Sequence, residues 1–181
     1  MFDFGYALRL IGLVFKHRNK KPADLFAENI VRGRCWLNDL DTNWHMNNSR
    51  YLREADFGRI SFLIETGLWK SLIQQKNVDR QANIVVSAIQ VQYRRSIELG
   101  NTFEIRTRLN GWDEKAFYME QSMNLRTTNE LACLYLVRLS LTSRSVTPQM
   151  IVNNLQMGSI QSPPLSQSLI NFKENHRITF S

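Results

Sequence analysis

The sequence has few cysteines and no long apolar runs. Its 181 residues contain two cysteines, Cys35 and Cys133, which lie too far apart for a metal-binding or redox pair. We expect both to be reduced core residues, with a disulfide as the alternative, and this favours a domain that faces the cytosol. No stretch reaches the roughly 20 apolar residues of a membrane-spanning helix. We also see no cleavable signal, internal repeat or low-complexity tract.

Basic residues exceed acidic ones, and the formal net charge is +7. An anionic partner must therefore be considered. Because the sequence contains no zinc finger, helix-turn-helix or RNA-recognition motif, we do not expect nucleic acid to be that partner. Phosphate-rich small molecules and anionic lipid surfaces remain as candidates.

Residues 1–24 form an N-terminal apolar and basic segment. Residues 6–15 are apolar except for Arg9, and the basic cluster Lys16, Arg18, Lys20 and Lys21 follows. This pattern suits a helix that lies in the membrane interface and binds anionic lipid. The alternative is a helix packed on the domain, with its charges in solvent. The expected location is the cytoplasm, or the cytosolic face of an internal membrane such as the endoplasmic reticulum.

The spacing of apolar residues predicts one strand, one long helix and then about four antiparallel strands. Alternation over residues 29–38 predicts the first strand, with Val31, Cys35 and Leu37 on one face. Helical spacing follows over Tyr51–Trp69, where small residues would allow close contact with a sheet. The remaining strands extend to residue 148. Since one helix covers only one face of such a sheet, the other face needs a second molecule or the terminal segments.

The stretch DLDTNWHMNNSRY, residues 39–51, is unusually polar for a junction between a strand and a helix. A metal site could use Asp39, Asp41 and His45. However, calcium loops need more carboxylates and a glycine bend, and zinc needs more nitrogen or sulfur ligands. We therefore expect no metal at this stretch.

Two other interpretations of this stretch remain open. Asx turns and an asparagine N-cap would explain Asn43, Asn47 and Asn48, but would leave His45 unexplained. A catalytic strip would explain an aspartate, an amide and an imidazole just before a helix. The N–H groups at the start of that helix could stabilise a developing oxyanion.

The same residues resemble the signature of hotdog-fold thioesterases, D-x-D-x-x-x-H-x-N-N-x-x-Y. DLDTNWHMNN is similar to an element of plant acyl-carrier-protein thioesterases. HMNNSRYLREADFGR and GWDEKAFYME are similar to animal proteins called thioesterase superfamily member six. The resemblance covers residues 25–148 and implies one α+β hotdog domain, with about five antiparallel strands wrapped around one long central helix. Residues 149–181 would add a short helix and a loosely packed tail. The resemblance also implies an acyl-CoA or acyl-carrier thioester as substrate, a homodimer with the cleft between protomers, and no cofactor.

Carried onto this sequence, the plant D-x-N-x-H element falls on Asp41, Asn43 and His45. The aspartate and asparagine would position and polarise the substrate, and the histidine would act in hydrolysis. A downstream Y-R-R-E-C strand in those enzymes matches YRRSI, so Ser96 occupies the glutamate position. Because serine cannot act as a carboxylate base, hydrolysis would need another acid. Otherwise the protein would bind acyl-CoA or lipid without hydrolysis and act in membrane lipid homeostasis.

Asp56 aligns with the helical glutamate of the bacterial hotdog pattern N-N-x-x-Y-x-x-x-x-E. Its position within the apolar stripe predicts a desolvated carboxylate of the kind that a general base requires. The alternative is a salt bridge to Arg53 or Arg59 at helical spacing.

The predicted substrate-binding residues are Asn47 and Asn48 at the helix start, and Arg94 and Arg95 at a strand end. The two arginines would meet the phosphates of coenzyme A or of a pantetheine arm. The alternative is a pair of solvated cations on an edge strand.

Overall fold

The computed structural model describes residues 4–17, 22–75, 79–80, 82–155 and 160–175. The described residues form helices α1 (Phe4–His17), α2 (Asn48–Glu65), α3 (Leu68–Gln75), α4 (Pro148–Asn153) and α5 (Gln167–Asn175), and strands β1 (Asn29–Arg34), β2 (Ile84–Tyr93), β3 (Thr102–Trp112), β4 (Ala116–Leu125) and β5 (Leu131–Leu141). Between residues 25 and 148 this is the predicted order of one strand, one long helix and four strands. Helix α3 is added after α2.

The strands form one antiparallel sheet in the order β1-β3-β4-β5-β2. Strands β3, β4 and β5 therefore lie inside the sheet, and β1 and β2 form its edges. Alternate side chains of the inner strands are buried in the main core, together with one face of α2. The sheet thus wraps around one long central helix, as the sequence predicts.

Gly58 allows α2 to lie directly on the sheet. A Cβ atom at this position would lie 2.8 Å from both Ile105 Cγ2 and Thr107 Oγ1, which is too close for any side chain. The close approach expected from the small residues of the helix is therefore present. Helix α2 ends at Glu65, and Gly67, with φ of +82°, separates it from α3. The predicted helix to Trp69 is thus divided at this glycine.

Strand β1 is shorter than the alternation predicts. It ends at Arg34, where its pairing with β3 stops, and a 3₁₀ turn at Leu37–Asp39 follows. Val31 and Cys35 are buried as predicted, but Leu37 is exposed. The prediction for Leu37 was wrong because the chain has already left the sheet, so the two-residue period no longer applies.

Both cysteines belong to the core. Cys35 and Cys133 are buried free thiols, as expected from the sequence. Burial raises the pKa of each thiol to about 11, so both stay protonated at neutral pH.

Helix α5 covers part of the outer face of the sheet. Leu169 and Phe172 are buried there against Tyr118 and Leu136. The loosely packed tail expected for the C-terminal residues is thus a docked helix between Gln167 and Asn175. A second molecule or a terminal segment was expected to cover this face, and a terminal segment, α5, covers part of it.

Helix α1 packs on the domain through one face. The Tyr6 ring lies 4.9 Å from the Phe57 ring, Leu13 is buried, and Arg9 forms a 2.6 Å ion pair with the buried carboxylate of Glu54. The opposite face carries exposed apolar side chains at Leu8, Ile11, Val14 and Phe15. Helix α1 therefore packs on the domain through one face and exposes an apolar face on its opposite side.

Candidate active site

The polar stretch between β1 and α2 is a tight loop anchored by Asp39. This carboxylate is buried and accepts hydrogen bonds from the Trp36 N–H at 3.0 Å and from Arg53 Nη2 at 2.7 Å. The Asp39 carbonyl oxygen accepts the Asn47 N–H at 2.8 Å. The two ends of the loop are therefore held together by one residue, with Arg53 of α2 behind it.

Asp41 shapes the tip of this loop. Its Oδ1 accepts the Asn43 N–H at 2.8 Å and the His45 N–H at 3.4 Å, and its own N–H donates to the His45 carbonyl at 2.8 Å. Trp44, at the tip, has a left-handed φ of +61°. Strand geometry continued through Asn43 would direct the side chains of Asp41 and Asn43 to the same side. The chain turns instead, and the Asx turn replaces it.

The loop is fixed to the segment after β2. The Met46 N–H donates to the Ile97 carbonyl at 2.8 Å, and His45 forms a β-bridge with Glu98. Beneath this contact the Ile97 N–H donates to the Tyr51 hydroxyl at 3.0 Å. The start of α2, the loop and the end of β2 thus meet at one place.

A pocket of about 320 Å³ lies where these three segments meet. It is lined by Asp41, Asn43, His45, Met46, Asn48, Tyr51, Tyr93, Arg94, Arg95 and Ser96. Six of the eight predicted site residues therefore come together, although 46 residues separate Asn48 from Arg94. Within the described residues, the His45 imidazole has no hydrogen-bond partner, so it faces the pocket without a competing contact.

The two arginines of the pocket differ in their surroundings. Arg95 pairs with Glu130, and both side chains are well exposed. Arg94 Nη2 donates to Gln92 Oε1 at 3.0 Å, and in the part of the chain that the structure covers no carboxylate pairs with it. Ser96, at the glutamate position of the plant enzymes, also lines the pocket. Asp41 is thus the only carboxylate among the residues that line it.

Asn47 has a structural position. Its Oδ1 accepts the Ser49 N–H at 2.9 Å, and the residue is the N-cap of α2. Asn47 does not line the pocket, whereas its neighbour Asn48 does. The capping interpretation of the asparagines therefore applies to Asn47.

Asp56 is not brought to the pocket. It faces α1, where it accepts a hydrogen bond from the Tyr6 hydroxyl, and it forms a 3.1 Å ion pair with Arg59. Its side chain is 33% exposed, so it is not the desolvated carboxylate that its place in the apolar stripe predicts. The salt bridge to Arg59, which was the alternative, is present. Burial first, and then the bond to Asp56, raises the pKa of Tyr6 to about 12.

Sequence reasoning missed the two tyrosines of the pocket. From the sequence, Tyr51 is only the first residue of the helical spacing and the last of the signature, and Tyr93 is only the first residue of YRRSI. Their rings meet edge to face at 5.3 Å, and the Tyr93 hydroxyl donates to the Asn48 carbonyl at 3.3 Å. Burial raises the pKa of Tyr51 to about 12, so this hydroxyl is a hydrogen-bonding group rather than a base. The tyrosine that ends the signature motif was the available signal for Tyr51.

Asp39, Asp41 and His45 do not form a metal site. Asp39 faces Arg53 while Asp41 and His45 face the pocket. Among the described residues no group of three histidine, cysteine or acidic side chains could hold a metal ion.

Comparison with known proteins identifies the family. The pattern of the thioesterase-like superfamily matches residues 35–165. Protein THEM6 of Danio rerio is 37% identical over 169 residues, which are 93% of this chain and 80% of that protein. A probable thioesterase from Bartonella henselae has a TM-score of 0.56 at 22% identity, over 66% of this chain and 94% of its own. The protein SAV2348 from Staphylococcus aureus, solved in complex with CoA, has a TM-score of 0.56 at 13% identity, over 80% of this chain and 91% of its own.

These similarities confirm the predicted hotdog fold and the resemblance to thioesterase superfamily member six. The residues matched include the polar loop, α2 and all of β2–β5. The chain belongs to the thioesterase-like superfamily.

Proposed function

We propose that this protein hydrolyses acyl thioesters of coenzyme A or of an acyl carrier. The observation that carries the proposal is the pocket itself, which combines Asp41, Asn43 and His45 with the cations Arg94 and Arg95. An acid–base pair suits attack on a thioester, and guanidinium groups suit the phosphates of its carrier. A CoA complex of a protein with the same fold agrees with this substrate class.

The chemistry can be assigned to named groups. Water attacks the thioester carbonyl carbon while His45 takes its proton, and the carbonyl oxygen becomes an oxyanion. The exposed Asn43 amide and the N-terminal end of α2 stabilise this charge. When the C–S bond breaks, the protonated imidazole returns the proton to the thiolate. Asp41 accepts the His45 backbone N–H at 3.4 Å, and its negative charge, which an asparagine would lack, stabilises the imidazolium that forms.

Ser96 favours a second candidate function. With one carboxylate at the pocket, and with that carboxylate accepting two backbone N–H groups, the site has fewer acid–base groups than the plant pattern. A protein of this kind could bind acyl-CoA or another lipid without hydrolysing it, in the service of membrane lipid homeostasis.

An assay of the purified protein against acyl-CoAs of graded chain length distinguishes the two functions. Free thiol release is measured together with binding by calorimetry. Turnover that saturates with substrate supports the hydrolase. Binding with no thiol release supports the non-hydrolytic module, and the absence of both would contradict the proposed substrate class.

We further propose that the protein is a homodimer formed through β2. The reason expected from the sequence, an uncovered sheet face, is weaker than expected because α5 covers part of that face. The edge strand β2 gives a better reason to expect a dimer. Strand β2 exposes Val85 and Val86 beside unpaired backbone groups, and such an edge favours pairing with another strand. Because Tyr93 and Arg94 lie at the end of β2, the pocket would adjoin the interface.

We expect Val86→Lys to convert the dimer to a monomer in light scattering. Val86 is 43% exposed on β2, and a lysine there would place two like charges across a twofold strand pair. Ile30→Lys is the matched control because Ile30 is 40% exposed on β1, the other edge. A monomeric wild-type protein at micromolar concentration would contradict the dimer, and equal effects of both variants would contradict the interface.

The outer face of α1 is proposed to contact membranes. No helix in the described ranges is long and apolar enough to cross a bilayer. The exposed Leu8, Ile11 and Phe15 could instead lie in the interface of an anionic membrane. The basic cluster on which the sequence prediction also depends, at residues 16–21, lies outside the described side chains.

We expect Ile11→Glu combined with Phe15→Glu to abolish flotation with anionic vesicles. Wild-type flotation should weaken as salt rises, because part of the attraction is electrostatic. Substitution is preferable to deleting α1, since deletion would uncover Phe57 and the buried Glu54. The control is Ile170→Glu on α5, an exposed position away from α1. Flotation that survives the double substitution would exclude this face.

A further inference from the structure

A second cavity of about 380 Å³ lies on the other side of the Asp39 anchor, between α1, β1 and α2. It is lined by Arg9, Arg32, Gly33, Arg34, Trp36, Asp39, Arg53 and Glu54. It shares no residue with the pocket that contains His45. The proposed thioester chemistry does not use it.

The charges that line this cavity do not cancel. Four arginines face two carboxylates, which leaves an excess of two positive charges. Both carboxylates already accept charged hydrogen bonds. Glu54 accepts from Arg9 at 2.6 and 2.8 Å, and Asp39 accepts from Arg53 at 2.7 Å. The oxygens of both carboxylates are therefore engaged by guanidinium groups, which they orient. They repel a bound anion less than free carboxylates would.

Arg34 supplies the least neutralised cation of the cavity. Its guanidinium lies 5.6 Å from the centre of the Trp36 ring, and no acidic side chain in the described ranges pairs with it. Trp36 itself is 59% exposed, so one aromatic face is open at the rim. Arg32 lies on the same side of β1 and is also exposed. It forms a 3.1 Å ion pair with Glu104, which does not line the cavity. The cavity thus combines oriented cations with a flat apolar surface.

We propose that this cavity binds a phosphate monoester. A phosphate monoester carries close to two negative charges at neutral pH, which matches the excess of two positive charges. Planar guanidinium groups bind the oxygens of phosphates and carboxylates in pairs, and the second negative charge favours a phosphate monoester over a carboxylate. The open face of Trp36 would accept an apolar or aromatic substituent on the ester. Because Arg9 belongs to α1 and Arg34 to β1, the bound phosphate would join the N-terminal helix to the sheet.

Calorimetric titration of the full chain with phenyl phosphate tests this site. We expect saturable binding, and binding of phenyl sulfate, which carries one charge fewer, at least about tenfold weaker. Arg34→Gln should weaken phenyl phosphate binding by about tenfold or more. Trp36→Ala should weaken the binding of phenyl phosphate more than it weakens the binding of inorganic phosphate. Both side chains are exposed, so the variants are expected to fold, which circular dichroism checks.

Two control variants separate this site from general attraction to a basic protein. Arg144→Gln and Lys115→Gln each remove the same charge from an exposed position outside the cavity. Both should leave phenyl phosphate binding unchanged. Equal losses in Arg34→Gln and in either control, or no binding by the wild type, would overturn the proposal.

The phosphate could belong to a soluble ester or to a lipid headgroup, and flotation distinguishes the two sources. Phosphatidylcholine vesicles with and without phosphatidic acid serve as the probe. Flotation that requires both phosphatidic acid and Arg34 assigns the cavity to a lipid headgroup. Phenyl phosphate binding that requires Arg34, with flotation that does not, assigns it to a soluble ester.

Discussion

Replacing His45 by alanine, or Asp41 by asparagine, is expected to lower acyl-CoA turnover by about 10²-fold or more, the scale of a lost acid–base group. Neither change should disturb the fold. His45 enters the loop network through its backbone, which alanine keeps. Asparagine keeps the Oδ1 acceptor through which Asp41 holds the Asn43 N–H. The melting temperature should therefore shift little while thiol release falls.

Asn47→Ala is the matched control for this experiment. It lies in the same loop but caps α2 instead of lining the pocket. We expect it to lower the free energy of unfolding by about 1 kcal/mol and to leave turnover per folded molecule nearly unchanged. If His45→Ala showed that pattern instead, the histidine would be structural. Wild-type protein that binds acyl-CoA and never releases thiol would remove the catalytic assignment and keep the pocket.

Much of the fold could be predicted because its strands and central helix carry clear periods. One strand, one long helix and four strands are predicted between residues 25 and 148 and are present, and the helix packs closely on the sheet as its small residues predict. These features depend on local periodicity and on residue size. Signals of this kind depend only on residues that are close together in the sequence.

The composition of the pocket could be predicted only in part. Asp41, Asn43 and His45 belong to one short motif, and resemblance also drew attention to Arg94 and Arg95. The placement of Asp56 depended on which side of α2 meets the sheet and which side meets α1. That choice is made by tertiary contacts, here Arg59 and Tyr6, which no spacing along the helix reveals.

The ionic network behind the loop was also invisible from the sequence. It runs from Arg9 of α1 to Glu54, from Glu54 to Arg53, and from Arg53 to Asp39. Arg9 and Asp39 are 30 residues apart, and the signature that begins at Asp39 does not indicate which cations pair with it. The network connects the helix proposed to contact membranes with the loop proposed to bind the thioester, so the two proposed functions share a physical link.

Arg53→Ala is expected to destabilise the protein by about 3 kcal/mol, because it removes one cation from between two buried carboxylates. Arg53 Nη2 lies 2.7 Å from Asp39 and 3.2 Å from Glu54, whose side chains are 2% and 3% exposed. Arg53 itself is 22% exposed, which places the expected effect at the lower end for a broken buried pair. Urea unfolding followed by circular dichroism measures the change.

Arg50→Ala is the control for Arg53→Ala, since Arg50 Nε lies 3.8 Å from the same Asp39 oxygen and is more exposed. Its loss should cost less than about 1 kcal/mol, as for a surface ion pair. Adding Asp39→Asn to Arg53→Ala should recover part of the lost stability, because the buried carboxylate that lost its 2.7 Å partner is then replaced by a neutral group. Equal effects of the two arginine variants, or strictly additive effects in the double variant, would show that Arg53 does not hold the buried carboxylates. In that case the Asp39 anchor would rest on the Trp36 N–H and Arg50, and α1 would have no ionic connection to the loop.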